Sequence, residues 1–211
     1  MALDLEEQEQ LDAFKAWWKA HGNKVIAAVA VFVVGVAGFQ FWSGYQQRQT
    51  REAGALFQTL VRELGAGDAK KIRAVAGELI DKYPRTPYAL DAALIAAKAN
   101  YEAGDLKSAK SQLQWVIEHA KDAPSQDLAR LYLSGVLLDE KNYDEALKLL
   151  EAKHDAAFES LYSDRKGDVL ALQGKADAAR AAYRAALDKL PKDSAARPVI
   201  EIKLDALGNQ G

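Results

Sequence analysis

The residues whose types could do chemistry are few: two carboxylates one helical turn apart, Asp164 and Asp168; three histidines, His21, His119 and His154; and the loop Gly65-Ala66-Gly67-Asp68-Ala69-Lys70. Paired acids can divide an acid and a base role when their environments push their proton affinities apart, but neighbouring carboxylates on a helix usually form a solvated edge. That is how Asp164 and Asp168 read. No histidine has a second one three to five residues away, as many zinc sites require. The glycine loop lacks a preceding strand and the Gly-Lys-Ser/Thr ending that cradles phosphate, so it reads as a turn between helices. The chain has no cysteine, which excludes disulfides, thiolate metal sites and thiol nucleophiles. No nucleophile, metal set or cofactor loop converges, and the expectation is a binding protein without metal or cofactor rather than an enzyme.

Charge narrows the partners. The 211 residues carry 28 basic and 30 acidic side chains. Three lysines and five acids precede Val25, which leaves 25 against 25 beyond it. Such a balance gives no electrostatic footprint for nucleic acid.

The element that must position everything else is Val25–Trp42 (VIAAVAVFVVGVAGFQFW), which contains no charge. At 1.5 Å per residue it reaches about 27 Å, close to the hydrocarbon thickness of a bilayer. Trp17, Trp18 and Lys24 precede it and Trp42 and Tyr45 close it, marking the two membrane interfaces. A cleaved secretory signal is the rival, since Val36, Ala37 and Gly38 are small or short. An uncleaved anchor is favoured, because the leading segment is acid-rich and aromatics crowd the exit. Gly35, Gly38, Ala28 and Ala37 leave room for a partner helix as well as lipid, without the strict four-residue glycine spacing. Lys15, Lys19 and Lys24 against Arg48 and Arg51 place residues 1–24 in the cytoplasm, 25–42 in the membrane and 43–211 outside the cytoplasm, as a single-pass type II protein.

Beyond the anchor the pattern is helical throughout, rich in Ala, Leu, Lys, Glu and Gln. Turns at Gly67-Asp68, Gly104-Asp105, Lys141-Asn142 and Gly174-Lys175 recur at intervals of 37, 37 and 33 residues. These bracket the thirty-four-residue tetratricopeptide period. Five residues after each turn's first residue stand Ile72, Ala109, Ala146 and Ala179, where a small residue lets helices approach closely. Leu113, Leu150 and Tyr183 follow four residues later on the same face as the alanines. Pro84 and Pro191 close helices, and Thr86-Pro87 and Ser125 supply candidate N-caps.

The expected fold is therefore all-α: one N-terminal transmembrane helix, then a right-handed solenoid of helical hairpins at about 46–84, 86–121, 125–154 and 157–190. A capping helix, Pro198–Leu207, covers the last face with Ile200, Leu204 and Leu207. First helices of such hairpins line a concave surface able to hold a polypeptide segment. The repeat register puts Lys98, Tyr101, Leu131, Leu138, Asp164 and Asp168 toward it, with core as the other reading for the two leucines. Trp115 is expected to pack.

The segment EEQEQLDAFKAWWKAHGNKV, the exit GFQFWSGYQQ, the loose repeats and the ending PVIEIKLDAL together resemble the YfgM family, ancillary subunits of the bacterial Sec translocon. The resemblance spans nearly the whole chain and brings no catalytic residues. It implies an inner-membrane protein with a periplasmic repeat domain, associated with the SecYEG channel and the periplasmic folding factor PpiD, that assists exported polypeptide segments as chaperone or adaptor. A scaffold for another envelope complex, secretion or cell-wall machinery, is the alternative.

Overall fold

A computed structural model describes residues 3–208, with side chains from residue 7. Every regular element among the described residues is helical: α1 (Leu3–Ala66), α2 (Ala69–Lys82), α3 (Pro87–Glu102), α4 (Leu106–His119), α5 (Ala123–Asp139), α6 (Tyr143–Leu150), a 3-10 turn (Ala156–Phe158), α7 (Glu159–Leu172), α8 (Ala176–Lys189) and α9 (Arg197–Ala206). The chain forms two compact units, Met1–Arg51 and Glu52–Gly211.

In the first unit, α1 is apolar on all sides through Val25–Trp42 except at Gln40. Val31, Phe32, Val34 and Phe41 are each more than 70% exposed. Such side chains have no partner in water, and α1 is long and apolar enough to cross a membrane. Trp17, Trp18, Trp42 and Tyr45 are exposed on the same helix. Upstream, Phe14 stacks on Trp17 and Trp18 with ring centroids 6.3 and 6.1 Å apart, and His21 lies 5.5 Å from Trp17.

The second unit is a stack of helix pairs. The end of α1 and α2 form the first, α3 and α4 the second, α5 and α6 the third, α7 and α8 the fourth. α1 continues without interruption from the first unit, so no separate helix begins near residue 46. Ala109, Ala146 and Ala179 are fully buried and Ile72 nearly so. Leu113, Leu150 and Tyr183 are buried beside them. Between α7 and α8 the approach is close enough that a Cβ at Gly167 would overlap the Tyr183 ring. The main core joins α3, α4, α5 and α6 to Tyr162 and Val169 of α7. Trp115 packs partly buried against it and stacks on His119, 4.3 Å between centroids.

The turns repeat in conformation as well as in spacing. Gly67, Gly104, Lys141 and Gly174 all adopt positive φ, at 72°, 77°, 59° and 76°. At Gly104 the last carbonyls of α3 are satisfied by Gly104 N donating to Tyr101 O and Asp105 N to Asn100 O; Lys141–Asn142 and Gly174–Lys175 repeat this pair. Asp68 and Asp105 then accept from Lys71 N and Ser108 N, capping the next helix. Two expected caps differ. Asp122, not Ser125, caps α5: its carboxylate accepts from Ser125 N at 2.8 Å, and Pro124 occupies the first turn. Thr86 stands at the N-cap of α3, but its hydroxyl donates to Tyr83 O.

α6 has only eight residues, and a buried polar hub holds the chain behind it. Asp127 accepts from Arg130 at 2.8 Å and from Asp155 N at 2.9 Å, while the Tyr162 hydroxyl donates to its carbonyl. His154 stacks on Tyr162 at 4.0 Å.

α9 is the expected capping helix, displaced by one residue at each end. Ile200 is buried, with Leu204 and Leu207 packed beside it against α8. Lys203 inserts between Asp164 and Asp168 of α7, 2.9 and 2.8 Å from their oxygens. Arg197 donates to Leu187 O and Leu190 O at the end of α8, and Arg180 of α8 returns the contact to Leu207 O and Gly208 O. Burial pulls the Lys203 ammonium down, but the hydrogen bonds and charges of the two carboxylates outweigh it, so its pKa lies above the usual value. Burial, then the Asp168 charge, pushes the Tyr183 phenol well above its usual range. Burial and the Asp127 charge push Tyr162 up to about 12.

Two outcomes follow from these contacts. Lys141 stands in the left-handed region, where a Cβ costs roughly 1–2 kcal/mol against glycine, partly offset by glycine's freer unfolded chain. Lys141→Gly therefore raises, and Gly104→Ala lowers, the unfolding free energy of the detergent-solubilised protein by about 0.5–1 kcal/mol. A Lys141→Gly protein no more stable than the parent removes that account of the turns. Lys203, Tyr183 and Tyr162 each hold their proton more tightly folded than unfolded. Their contribution is complete below the unfolded values of 10.0 for tyrosine and 10.5 for lysine and is lost as pH rises through the folded ones. Stability measured between about pH 8 and about pH 12 falls from about pH 10 upward, less steeply in Tyr183→Phe. Equal slopes in the two proteins contradict the assignment.

Candidate functional site

First helices of successive hairpins lie side by side, and between α3 and α5 they leave an open groove of about 520 Å³. One wall is Leu94, Ile95, Lys98, Tyr101 and Glu102, and the other is Leu128, Tyr132, Gly135 and Val136. Leu94, Lys98, Tyr101 and Glu102, like Leu128, Tyr132, Gly135 and Val136, are positions i, i+4, i+7 and i+8, one face of each helix, with Ile95 beside the first. Leu113 of α4 forms part of the floor and Arg165 of α7 closes one end. The Arg165 guanidinium lies 3.6 Å from where a Gly135 Cβ would stand, so the glycine gives it room.

The lining is mostly apolar, with two exposed tyrosines, Tyr101 and Tyr132. The Tyr101 hydroxyl donates to Asp139 at 2.5 Å; that bond, then burial, raises the phenol's pKa. The bond holds the ring upright on the wall. Lys98 lies 3.7 Å from Glu102, with both side chains largely in solvent, so the pair adds little to stability and stays available to a ligand. Arg165 is shared with Asp168 at 3.7 Å. An aliphatic and aromatic trough rimmed by cations and one acid can take up apolar side chains and hydrogen-bond or pair with a polar backbone or charged flank. Its lining has no nucleophile and base arranged for a reaction.

The six residues expected on the concave face divide. Lys98 and Tyr101 line the groove. Leu131 is only 7% exposed and belongs to the core, and Leu138 packs partly buried against the same core. A one-repeat shift of 37 residues from Leu94 and Tyr101 lands on Leu131 and Leu138, the corresponding positions of the next first helix. The groove lies between two first helices, so its far wall is the side of α5 turned back toward α3. Asp164 and Asp168 are neither groove wall nor solvated edge, since Lys203 occupies both. Tyr132, Leu128 and Arg165 were not expected. Tyr132 had a signal, an aromatic one residue outside the apolar stripe of α5.

Among described residues, the histidines are engaged by their own surroundings. His119 Nδ1 meets Trp115 O at 2.9 Å, and His154 lies between Ala152 O and Glu159.

Comparison with known proteins agrees with this architecture over nearly the full chain. A family described as Tetratricopeptide repeat-like domain matches residues 15–209. An ancillary SecYEG translocon subunit of Neisseria gonorrhoeae is 36% identical over 208 residues, covering 98% of this chain and 100% of the relative. Proteins of the same name from Haemophilus influenzae and Escherichia coli are 27% and 25% identical, each over 88% of this chain and 91% and 89% of their own lengths. With a family model matching residues 15–209 and a relative 36% identical along nearly the whole chain, the chain, a helical-hairpin stack after one apolar N-terminal helix, belongs to the YfgM family of ancillary SecYEG translocon subunits.

Proposed function

We propose that this protein is a non-catalytic, membrane-tethered module that associates with the Sec translocon and holds exported polypeptide segments in the groove between α3 and α5, as a periplasmic chaperone or adaptor. The observation that carries the reading is the groove itself. It is an apolar trough of about 520 Å³ left uncovered on the first-helix face, with Tyr101 and Tyr132 exposed in its walls. Burying two such rings against a client supplies most of a modest affinity, and modest affinity suits a protein that must release. Residues 25–42 act as the anchor, residues 1–24 lie in the cytoplasm and residues 43–211 in the periplasm of a bacterial inner membrane. Tethering raises the effective concentration of the groove beside the channel, so contacts too weak to hold a freely diffusing client suffice. The names of the relatives support the SecYEG partner. A PpiD-like folding factor is the further partner in this reading.

Two measurements test it. Tyr132→Asp combined with Lys98→Glu places charge on the groove without touching the core, and weakens binding of an unfolded exported protein to the full-length protein by tenfold or more, about 1.4 kcal/mol. Unaltered binding by a folded variant removes the groove from the mechanism. Crosslinking from position 132 in intact membranes recovers Sec subunits and exported chains; exclusive recovery of cell-wall enzymes favours the scaffold role instead. Orientation is tested separately. A C-terminal reporter active only in the cytoplasm stays silent, and a signal from it reverses the assignment.

A further inference from the structure

Ahead of the span, α1 carries a second apolar surface that the span's length does not accommodate. Leu11, Phe14, Trp17 and Trp18 are all exposed, and at 100° per residue they fall within about a third of the helix circumference. Asp12 and Lys19 lie on the other side with Ala13, Ala16 and Ala20, and Lys15 stands at the flank next to Leu11; Glu7 and Gln10 before the stripe and His21 after it share its face. A helix continuing straight out of the bilayer carries Trp17 about 12 Å, Phe14 about 16 Å and Leu11 about 21 Å beyond Val25. The headgroup layer is only about 5–8 Å thick on each side. A straight exit therefore leaves the Phe14–Trp17–Trp18 cluster, whose rings lie 6.1 to 6.4 Å apart, in water. Sinking the whole segment instead drags Asp12, Lys15, Lys19 and Lys24 into hydrocarbon.

We infer that residues 7–21 lie along the membrane surface as an amphipathic interfacial helix, turned away from the span at Gly22–Asn23, with Leu11, Phe14, Trp17 and Trp18 seated in the lipid headgroup region. The occupant of the stripe is lipid because the surface is continuous along the same helix with the apolar span, and because its residues suit the interface. Indole and phenyl rings sit at the boundary between acyl chains and headgroups, while Lys15 and Lys19 on the upper face reach phosphates. Glu7, Glu9 and Asp12 lie at the end farthest from the span, where repulsion from anionic lipid lifts the helix start. Gly22 and Asn23 are weak helix formers side by side, so the bend costs least there. In this structure α1 runs unbroken through Gly22–Asn23 and the Trp18 indole lies 3.1 Å from where a Gly22 Cβ would stand, so the inferred bend is one the helix takes up against the bilayer. The inference rests on Val25–Trp42 being inserted in the bilayer.

The absence of cysteine makes the test direct, since single labels can be placed on the full-length protein. Spin labels at Phe14→Cys, Ala16→Cys and Val33→Cys are read in phosphatidylethanolamine–phosphatidylglycerol vesicles containing only this protein. The expected ratio of oxygen to water-soluble nickel relaxation is several-fold higher at position 14 than at position 16, with position 33 highest. Labels at 14 and 33 together lie about 20 Å apart for a right-angle bend at Gly22–Asn23, against about 28 Å for a straight helix. A water-exposed label at 14, a straight-helix distance, or 14-to-14 broadening from paired chains overturns the inference. A label at 33 exposed to water overturns the span beneath it instead.

Discussion

The second unit depends on one constraint, that a helical hairpin can bury its apolar face only against the next hairpin. The helices must then approach closely, and small side chains at the crossing points allow it. Ala109, Ala146 and Ala179 are completely enclosed, and α3 adds Ala89, Ala92, Ala93 and Ala96 at the same level of burial. Larger residues there would push the axes apart toward the upper end of the usual 8–10 Å range. The closest approach, Gly167 beneath the Tyr183 ring, shows the same requirement at its limit. The cost of so much alanine is a small apolar payload per residue, and the wider side chains between the layers, Leu60, Leu79, Leu137, Val116 and Tyr162, supply the remainder.

Where the hairpin pattern weakens, polar groups take over. α6 is too short to cover its neighbours, and the chain then runs through a loop and a 3-10 turn before α7 begins. Asp127 is 1% exposed, yet its oxygens receive Arg130, the Asp155 amide and, through its carbonyl, the Tyr162 hydroxyl. A buried carboxylate with these partners fixes the loop in one place, whereas the same carboxylate with one partner removed would be strongly destabilising. The ring of Tyr162 belongs to the core and its hydroxyl to the hub, so packing and polar satisfaction are joined in one side chain.

Local chemistry made most of this fold legible in the sequence. The four turns were readable because a glycine, or the asparagine of Lys141-Asn142, breaks the helical pattern at the repeat spacing, and Lys141 shares the positive φ of the three glycines. The enclosed alanines and the stripe Ile200, Leu204, Leu207 were readable as helical periodicity. The misreadings concern what one helix presents to several neighbours. Asp164 and Asp168 look like solvent-facing charges until Lys203, 39 and 35 residues away, is placed between them. Leu131 and Leu138 took the core, the other reading their register allowed, and not the groove wall. Periodicity fixes which residues share a face, but which face meets the groove depends on how α3 and α5 pack, and no local signal encodes that.

The two first-helix surfaces with polar or aromatic side chains meet different fates, and the difference bears on why the groove is open. On α7, Asp164 and Asp168 face each other one turn apart and need a cation; α9 supplies Lys203 and is fastened by Arg197 and by Arg180 from α8. Between α3 and α5 the surface is apolar, the kind of area a terminal amphipathic helix would ordinarily cover. α9 is such a helix, but its charge is spent on α7 and its apolar stripe on α8. Arg165 stands between the two regions, pairing with Asp168 on one side and closing the groove on the other. The cap's electrostatics thus hold the groove's end wall while keeping the cap itself away. Among the described helices, α9 thus goes to the charged end of the stack, and the aromatic trough between α3 and α5 is left bare.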